Sequence, residues 1–447
     1  AIRGSAPAQI NVPRDYWTQV IDIELPPIVR LERQGGGSDA VSKAAKLLSD
    51  AKFPVILSGA GVVIGGAIED CKKLAEKLDS PVCSGYQHND SFPGSHPLAV
   101  GPLGYNGSKA AMQLISKADV VLALGTRLNP FSTLPGYGLD YWPKDAKIIQ
   151  VDMNSDRIGL TKKVTVGICG DAKLVSQQIL EKLSPNAGDK GREERKNLIH
   201  QTKSAWLQTL TSLDHEDDDP GTVWNKEARE RDSDRMSPRQ AWRAIQAGMP
   251  EDVIISSDIG NNCAIGNAYP TFEKGRKYLA PGLFGPCGYG FPSILGAKIG
   301  CPETPVIGFA GDGAFGISMN EMSSCARKEW PNITMVIFRN YQWGAEKRNS
   351  ILWFDDNFVG TELDPELSYA KVADACGLKG VTVKTMEETT KAIKQSCEDQ
   401  KKGITTFIEI ILNQELGEPF RRDAMKKPVE VAGINKNDMK PQKSAIN

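Results

Sequence analysis

Gly311-Asp312-Gly313 sits between two short apolar runs, Val306 to Ala310 and Ile333 to Phe338, and residues 314–338 separate it from Arg339-Asn340. Both runs are rich in β-branched residues and flanked by Pro or Gly, the pattern of buried strands. Between them, Ser318-Met319-Asn320-Glu321 has the Ser-x-x-Glu spacing of a helix start, and Glu321 to Lys328 extends it. Strand, glycine turn, helix and strand make a right-handed βαβ crossover. That topology sets Asp312 and Asn340 beyond the carboxyl ends of neighbouring parallel strands, where open α/β sheets bind ligands. A carboxylate and an amide oxygen converging there suit Mg2+, a hard cation that takes oxygen ligands and is usually shared with a phosphate. The flanking glycines let the backbone approach such a phosphate. A tight turn followed by a loop asparagine would explain the tripeptide, but not the interval, both strands and the helix together.

At 447 residues the chain exceeds a single hydrophobic core and requires two or three domains. Its 40% apolar and 24% charged content is that of a globular protein. A formal charge of −1 gives no global attraction to nucleic acid or an anionic membrane, so any anion site is local. No apolar run reaches the ~18 residues of a membrane span, and no signal peptide is expected. The cysteines, 9 in number, are scattered without a Cys-x-x-Cys, and the 4 histidines lie far from them. That pattern points to reduced, mostly buried thiols in a cytoplasmic compartment rather than to disulfides or zinc.

The fold class expected is α/β, with two doubly wound parallel-sheet domains. Residues 1–36 read as the end of a preceding domain and a linker: Ala8 to Val12 as a strand, then a stretch with Pro26-Pro27 and Gly35-Gly36-Gly37. Residues 37–183 form a central α/β domain, with a first strand expected near Phe53 to Leu57 and others near Asp119 to Leu124 and Lys147 to Val151. Gly59-Ala60-Gly61 after its first strand invites a dinucleotide. However, Gly65 and Gly66 fall one residue late for G-x-G-x-x-G, and no acid closes Pro81 to Ser84, so a purely architectural domain is the better reading. Residues 184–235 are a charged connector with one helix around Trp206. Residues 236–415 are the second α/β domain, opened by the helix cap Ser237-Pro238-Arg239-Gln240. A strand at Val253 to Ser256 leads into Gly260-Asn261-Asn262, and a glycine-rich stretch from Gly282 to Pro292 follows. Residues 416–447 are a polar tail.

The Gly-Asp-Gly interval resembles the diphosphate-binding signature of thiamine-diphosphate enzymes, in which an Asn-Asn pair follows at the same interval. The resemblance implies thiamine diphosphate and Mg2+ as cofactors. It implies Asp312, Asn340 and the backbone carbonyl of Gln342 as metal ligands, with Gly311, Gly313 and Ala314 against the cofactor. Arg339 stands where the first Asn is usual, a departure that leaves the ligand Asn340 in place. The domain order and the Gly260-Asn261-Asn262 turn look like the acetolactate-synthase-type branch. By that match Gly260, Asn261 and Asn262 meet the diphosphate, and Cys287 falls where a bulky apolar side chain wedges between the cofactor's rings. Within the branch, Arg339 to Asn349, Gln9 to Trp17 and Glu418 to Asp423 look closest to the sulfoacetaldehyde acetyltransferases, and the resemblance covers essentially the whole chain. It implies that the activating glutamate belongs to an N-terminal pyrimidine-binding domain outside this sequence. It also implies a homodimer or homotetramer, with the cofactor between subunits.

The chemistry this resemblance implies is conversion of sulfoacetaldehyde and phosphate to acetyl phosphate and sulfite. Sulfonate and phosphate both need local cations, for which arginine's planar fork is well suited. The candidates are Arg339, Lys347, Arg348, Arg421 and Arg422, each of which could instead be a solvated surface charge. Cys287 is given a packing role rather than that of a nucleophile. Two alternatives stay open: an acetolactate synthase or related 2-oxo-acid decarboxylase or ligase, and a catalytically silent cofactor-binding subunit. Neither nucleic acid nor a membrane is expected as a partner.

Overall fold

The structure, a computed structural model, describes residues 8–27, 32–104, 106–213, 231–282, 284–327, 329–353 and 357–415. Arg421, Arg422 and the polar tail lie outside the described residues. The first sheet comprises β1 (Pro54–Ser58), β2 (Val82–Ser84), β3 (Ala99–Pro102), β4 (Val120–Leu124), β5 (Lys147–Asp152) and β6 (Val166–Cys169). The second comprises β7 (Ile254–Ser257), β8 (Tyr278–Leu279), β9 (Val306–Gly311), β10 (Thr334–Arg339), β11 (Lys379–Val383) and β12 (Thr406–Ile411). Their orders are β3-β2-β1-β4-β5-β6 and β11-β12-β10-β9-β7-β8, with every pairing parallel. The expected pair of doubly wound α/β domains is therefore present. Helices cover both faces of such sheets, so the central strands β1, β4 and β10 are buried at every position and read as continuous apolar runs.

Two local expectations are corrected. Ala8 to Val12 is not a strand: it carries no β-pairing, and Ile10 and Trp17 are exposed. A strand needs a neighbour for its amides and carbonyls, and none of the described residues supplies one. The helix after β9 begins at Asp312 itself (Asp312–Ser318), and Ser318 makes no capping bond. Its first turn already has an acid, Asp312, whose carboxylate takes an orphan amide. The Gly59-Ala60-Gly61 turn serves a chain crossing: a Cβ on Gly61 would lie 2.6 Å from the Gly125 Cα at the exit of β4. By contrast, the Ser237 cap forms as a full capping box with Gln240, Pro238 opening the helix Pro238–Gly248.

The connector carries the helix Arg192–Leu213, whose Trp206 packs edge-on against Tyr137 of the central domain at 5.5 Å. The two sheets are joined by the loop after β2. There Asn89 Nδ2 donates to the Asn267 and Pro270 carbonyls, both at 2.8 Å, and Asp90 Oδ2 accepts from the amides of Lys277 (2.9 Å) and Tyr278 (3.2 Å). In the same loop, burial and then the charge of Arg127 push His88 from 6.5 down to about 4. Such a group stays neutral in the fold, so its contribution is complete above pH 6.5 and is lost as pH falls towards 4. The expected result is a stability loss of up to about 1.4 kcal/mol per pH unit in that window. Denaturant titrations between pH 7 and 4.5 should show a flatter profile for His88→Asn.

Candidate functional site

β9 and β10 are adjacent, in register from Ile307↔Thr334 to Gly311↔Phe338, so Asp312 and Asn340 leave neighbouring strand ends. Asp312 is 1% exposed. Its Oδ1 accepts the Gly313 amide at 3.0 Å, while Oδ2 accepts from the Tyr341 amide at 2.7 Å and from Arg339 Nη1 at 3.0 Å. Burial lifts this carboxyl to about 6, against the opposing pull of Arg339.

Asn340 is also 1% exposed, and its Oδ1 has no hydrogen-bond partner among the described residues. A buried acceptor left without a donor costs about 1–3 kcal/mol, and a bound cation would remove that cost. Tyr341 follows at φ 60°, a left-handed conformation that strains a non-glycine residue. The turn is held from several sides. The Tyr341 amide goes to Asp312, its carbonyl accepts from the Leu363 amide at 2.9 Å, and its ring lies under Arg339 (4.2 Å) and Arg235 (4.9 Å). Gln342 comes next, 3% exposed, its Nε2 donating to the Gln414 carbonyl at 3.1 Å.

A second turn meets this loop. Gly260 has φ 122° and ψ 175°, a region open to glycine alone, and a Cβ there would face open space. It starts the short helix Asn261–Ile265. A Cβ on Gly344 would meet Asn261 Cβ at 3.3 Å and Asn340 Nδ2 at 3.8 Å, so the two asparagine turns touch across that glycine. Asp258, which the sequence reading passed over as a site residue, organises the surroundings. Its carboxylate accepts from the amides of Ile259 (2.8 Å), Gly288 (3.1 Å) and Gly290 (2.7 Å), fixing the glycine-rich stretch beside the Gly260 turn. An acid at a strand end facing a glycine-rich loop was the available signal. Trp242, also missed, donates its indole N–H to the Asn262 carbonyl at 2.8 Å from beneath. Nothing in the helical spacing of Trp242 marks that target.

An ionisable buried carboxylate, an orphaned amide oxygen beside it and open space at Gly260 and Gly311 fit a divalent cation carrying a diphosphate. Comparison with known proteins bears on the diphosphate. Residues 41–182 match the thiamine pyrophosphate enzyme central domain, and residues 258–410 match the thiamine pyrophosphate enzyme C-terminal TPP binding domain. A probable sulfoacetaldehyde acetyltransferase of Rhizobium meliloti (strain 1021) is 77% identical over 99% of this chain and 75% of its own length. Sulfoacetaldehyde acetyltransferases of Roseovarius nubinhibens and Rhodobacter capsulatus are 72% and 67% identical, each over 99% of this chain and over 73% and 75% of their own lengths. The chain belongs to the sulfoacetaldehyde acetyltransferase family of thiamine-diphosphate enzymes.

Among the cations expected to serve this acetyltransferase family's anions, the structure separates three cases. Arg339 is corrected: at 1% exposed it is turned into the fold, bonded to Asp312 and to the Asp364 and Leu367 carbonyls with Nε 3.6 Å from Glu409, so it presents no exposed edge to a substrate. Lys347 is neutralised by Glu362, Nζ to Oε1 at 2.6 Å. Arg348 faces the site, Nη1 donating to Asn261 Oδ1 at 3.2 Å. Burial pushes its guanidinium down to about 10, with the Tyr86 phenol of the central domain acting in the opposite direction. Cys287 is exposed on the glycine-rich loop rather than buried. Ala314 is packed in the core, and Gly313 is required by Trp343, whose ring would lie 2.8 Å from a Cβ there. Trp343 thus gives this glycine a packing reason of its own, whereas Gly311 faces open space.

Proposed function

We propose that the chain converts sulfoacetaldehyde and inorganic phosphate to acetyl phosphate and sulfite, using thiamine diphosphate and Mg2+. The observation that carries the metal assignment is the buried Asn340 Oδ1, unpartnered among the described residues, at the strand end next to that of Asp312. Asp312, Asn340 and the Gln342 carbonyl would hold Mg2+, and Gly260, Asn261 and Asn262 would hold the diphosphate. When bound, thiamine diphosphate supplies a nucleophilic carbon and an electron sink for cleavage next to a carbonyl. The protein's own part is electrostatic and positional. Asp312 brings the negative charge opposite the metal, Tyr341 and Asp258 rigidify the two turns, and Arg348 offers a largely desolvated cation at the Asn261 turn. An active homodimer or homotetramer fits the exposed apolar side chains of the glycine-rich stretch and the helix beside it, where Phe284 is 91% and Ile317 57% exposed. A cytoplasmic setting fits nine free cysteines. No helix among the described residues is long and apolar enough to cross a membrane.

Arg348 tests the substrate part of this reading. A lost charge-assisted hydrogen bond costs about 1.5–3 kcal/mol, so Arg348→Leu should raise the KM for phosphate or for sulfoacetaldehyde roughly ten- to a hundredfold. Cofactor affinity should hold within a few fold. Steady-state kinetics with each substrate varied separately would identify the anion. An unchanged KM for both would remove Arg348 from the substrate site.

A further inference from the structure

Arg339 is engaged by buried anions on two sides. Nη1 pairs with Asp312 Oδ2 at 3.0 Å, Nε lies 3.6 Å from Glu409 Oε1, and Nη2 donates to the carbonyls of Asp364 and Leu367. The side chains of Arg339, Asp312 and Glu409 are 1%, 1% and 2% exposed. Glu409 is held independently of Arg339, accepting from Ser368 Oγ at 2.7 Å and from the Tyr369 amide at 3.2 Å. Tyr369 closes the ring: its hydroxyl donates to the Asp312 carbonyl at 2.9 Å, and its aromatic face lies 5.5 Å from the guanidinium. The ends of β9 and β10 and the middle of β12 are thus tied together through one cation at the carboxylate assigned to the metal.

We propose that Arg339 is a positioning residue, the resident cation of the metal site. It holds the Asp312 carboxylate in place before metal arrives, and the incoming divalent ion must share that carboxylate with it. Two consequences follow from Coulomb's law in a desolvated setting. The metal-free domain is stabilised by the pair, and the metal binds more weakly than it would with a neutral residue at position 339. This inference rests on the metal assignment to Asp312 and Asn340.

The test uses the full chain with thiamine diphosphate present and Mn2+ as the probe, free Mn2+ being read by electron paramagnetic resonance. Thermal unfolding without metal is recorded in parallel. Arg339→Asn should lower the metal-free Tm by on the order of 10 °C and bind Mn2+ about tenfold more tightly or better. Arg339→Lys, which keeps the charge and loses the fork, should lower the Tm but leave Mn2+ affinity near that of the parent chain. If Arg339→Asn does not fold, Arg339→Asn combined with Glu409→Gln removes one charge of each sign and carries the same affinity measurement. An unchanged metal-free Tm, or Mn2+ binding that is equal or weaker without Arg339, overturns the proposal. The metal assignment is judged separately. If Asp312→Asn binds Mn2+ as the parent chain does, that assignment fails; if Asp312→Asn loses Mn2+ and Arg339→Asn binds it no better, only the role of Arg339 fails.

Discussion

Replacing Asp312 with Ala should abolish Mg2+-dependent binding of thiamine diphosphate. Asp312 is the one carboxylate in the proposed ligand set, and the diphosphate would lose the cation that offsets its charge. The expected cost is several kcal/mol, or on the order of a thousandfold or more in affinity. Calorimetric titration with thiamine diphosphate and Mg2+ measures it directly, and unchanged affinity would remove the metal from this site. The effect has a pH signature. Burial raises the Asp312 carboxyl to about 6, so the metal must compete with a proton below that value. Affinity in the intact chain should be level above pH 6 and fall towards tenfold per pH unit beneath it. Asp312→Asn, which keeps the shape and removes the charge, separates loss of the cation from loss of packing around Arg339.

The second large effect is expected far from the site, at Arg195. This guanidinium is 1% exposed and donates five hydrogen bonds to main-chain carbonyls: Asp79 at 2.9 Å, Lys52 and Gly188 at 2.6 Å, and Lys190 and Leu78 at 2.8 Å. It pins the start of the Arg192–Leu213 helix to the end of the Ile68–Leu78 helix and to the entry of β1. Arg195→Met fills much of the same volume but leaves those carbonyls without donors in a buried place. A loss of roughly 3–5 kcal/mol is expected, with Tm falling by about 10 °C. Chemical denaturation followed by circular dichroism would measure it. A change below 1 kcal/mol would mean that water replaces the fork without cost.

How much of this was legible in the sequence differs from residue to residue. The apolar runs Val120 to Leu124 and Met335 to Phe338 announce themselves because a parallel strand covered on both faces has no polar side to interrupt it. The Ser237-Pro238 cap was equally plain, since capping chemistry is local. Partners distant in sequence were not legible. Position 339 shows a departure from the Asn-Asn pair, but nothing local says that Arg339 would turn to Glu409, a residue 70 positions on. Asp258 and Trp242 act through amides and a carbonyl of other segments, and the two adjacent cations at 347 and 348 diverge because Glu362 lies near only one of them. Ser318 misled for the opposite reason: the capping pattern is present, but Asp312 had already begun the helix.

The most direct test is the product balance of the complete enzyme, pyrimidine-binding domain included, with sulfoacetaldehyde, inorganic phosphate, Mg2+ and thiamine diphosphate, followed by 31P nuclear magnetic resonance and a sulfite assay on the same sample. Acetyl phosphate and sulfite are expected in equal amounts, both absent when thiamine diphosphate or phosphate is left out. Consumption of a 2-oxo acid without sulfite release, or sulfite release without acetyl phosphate, would contradict the proposed reaction.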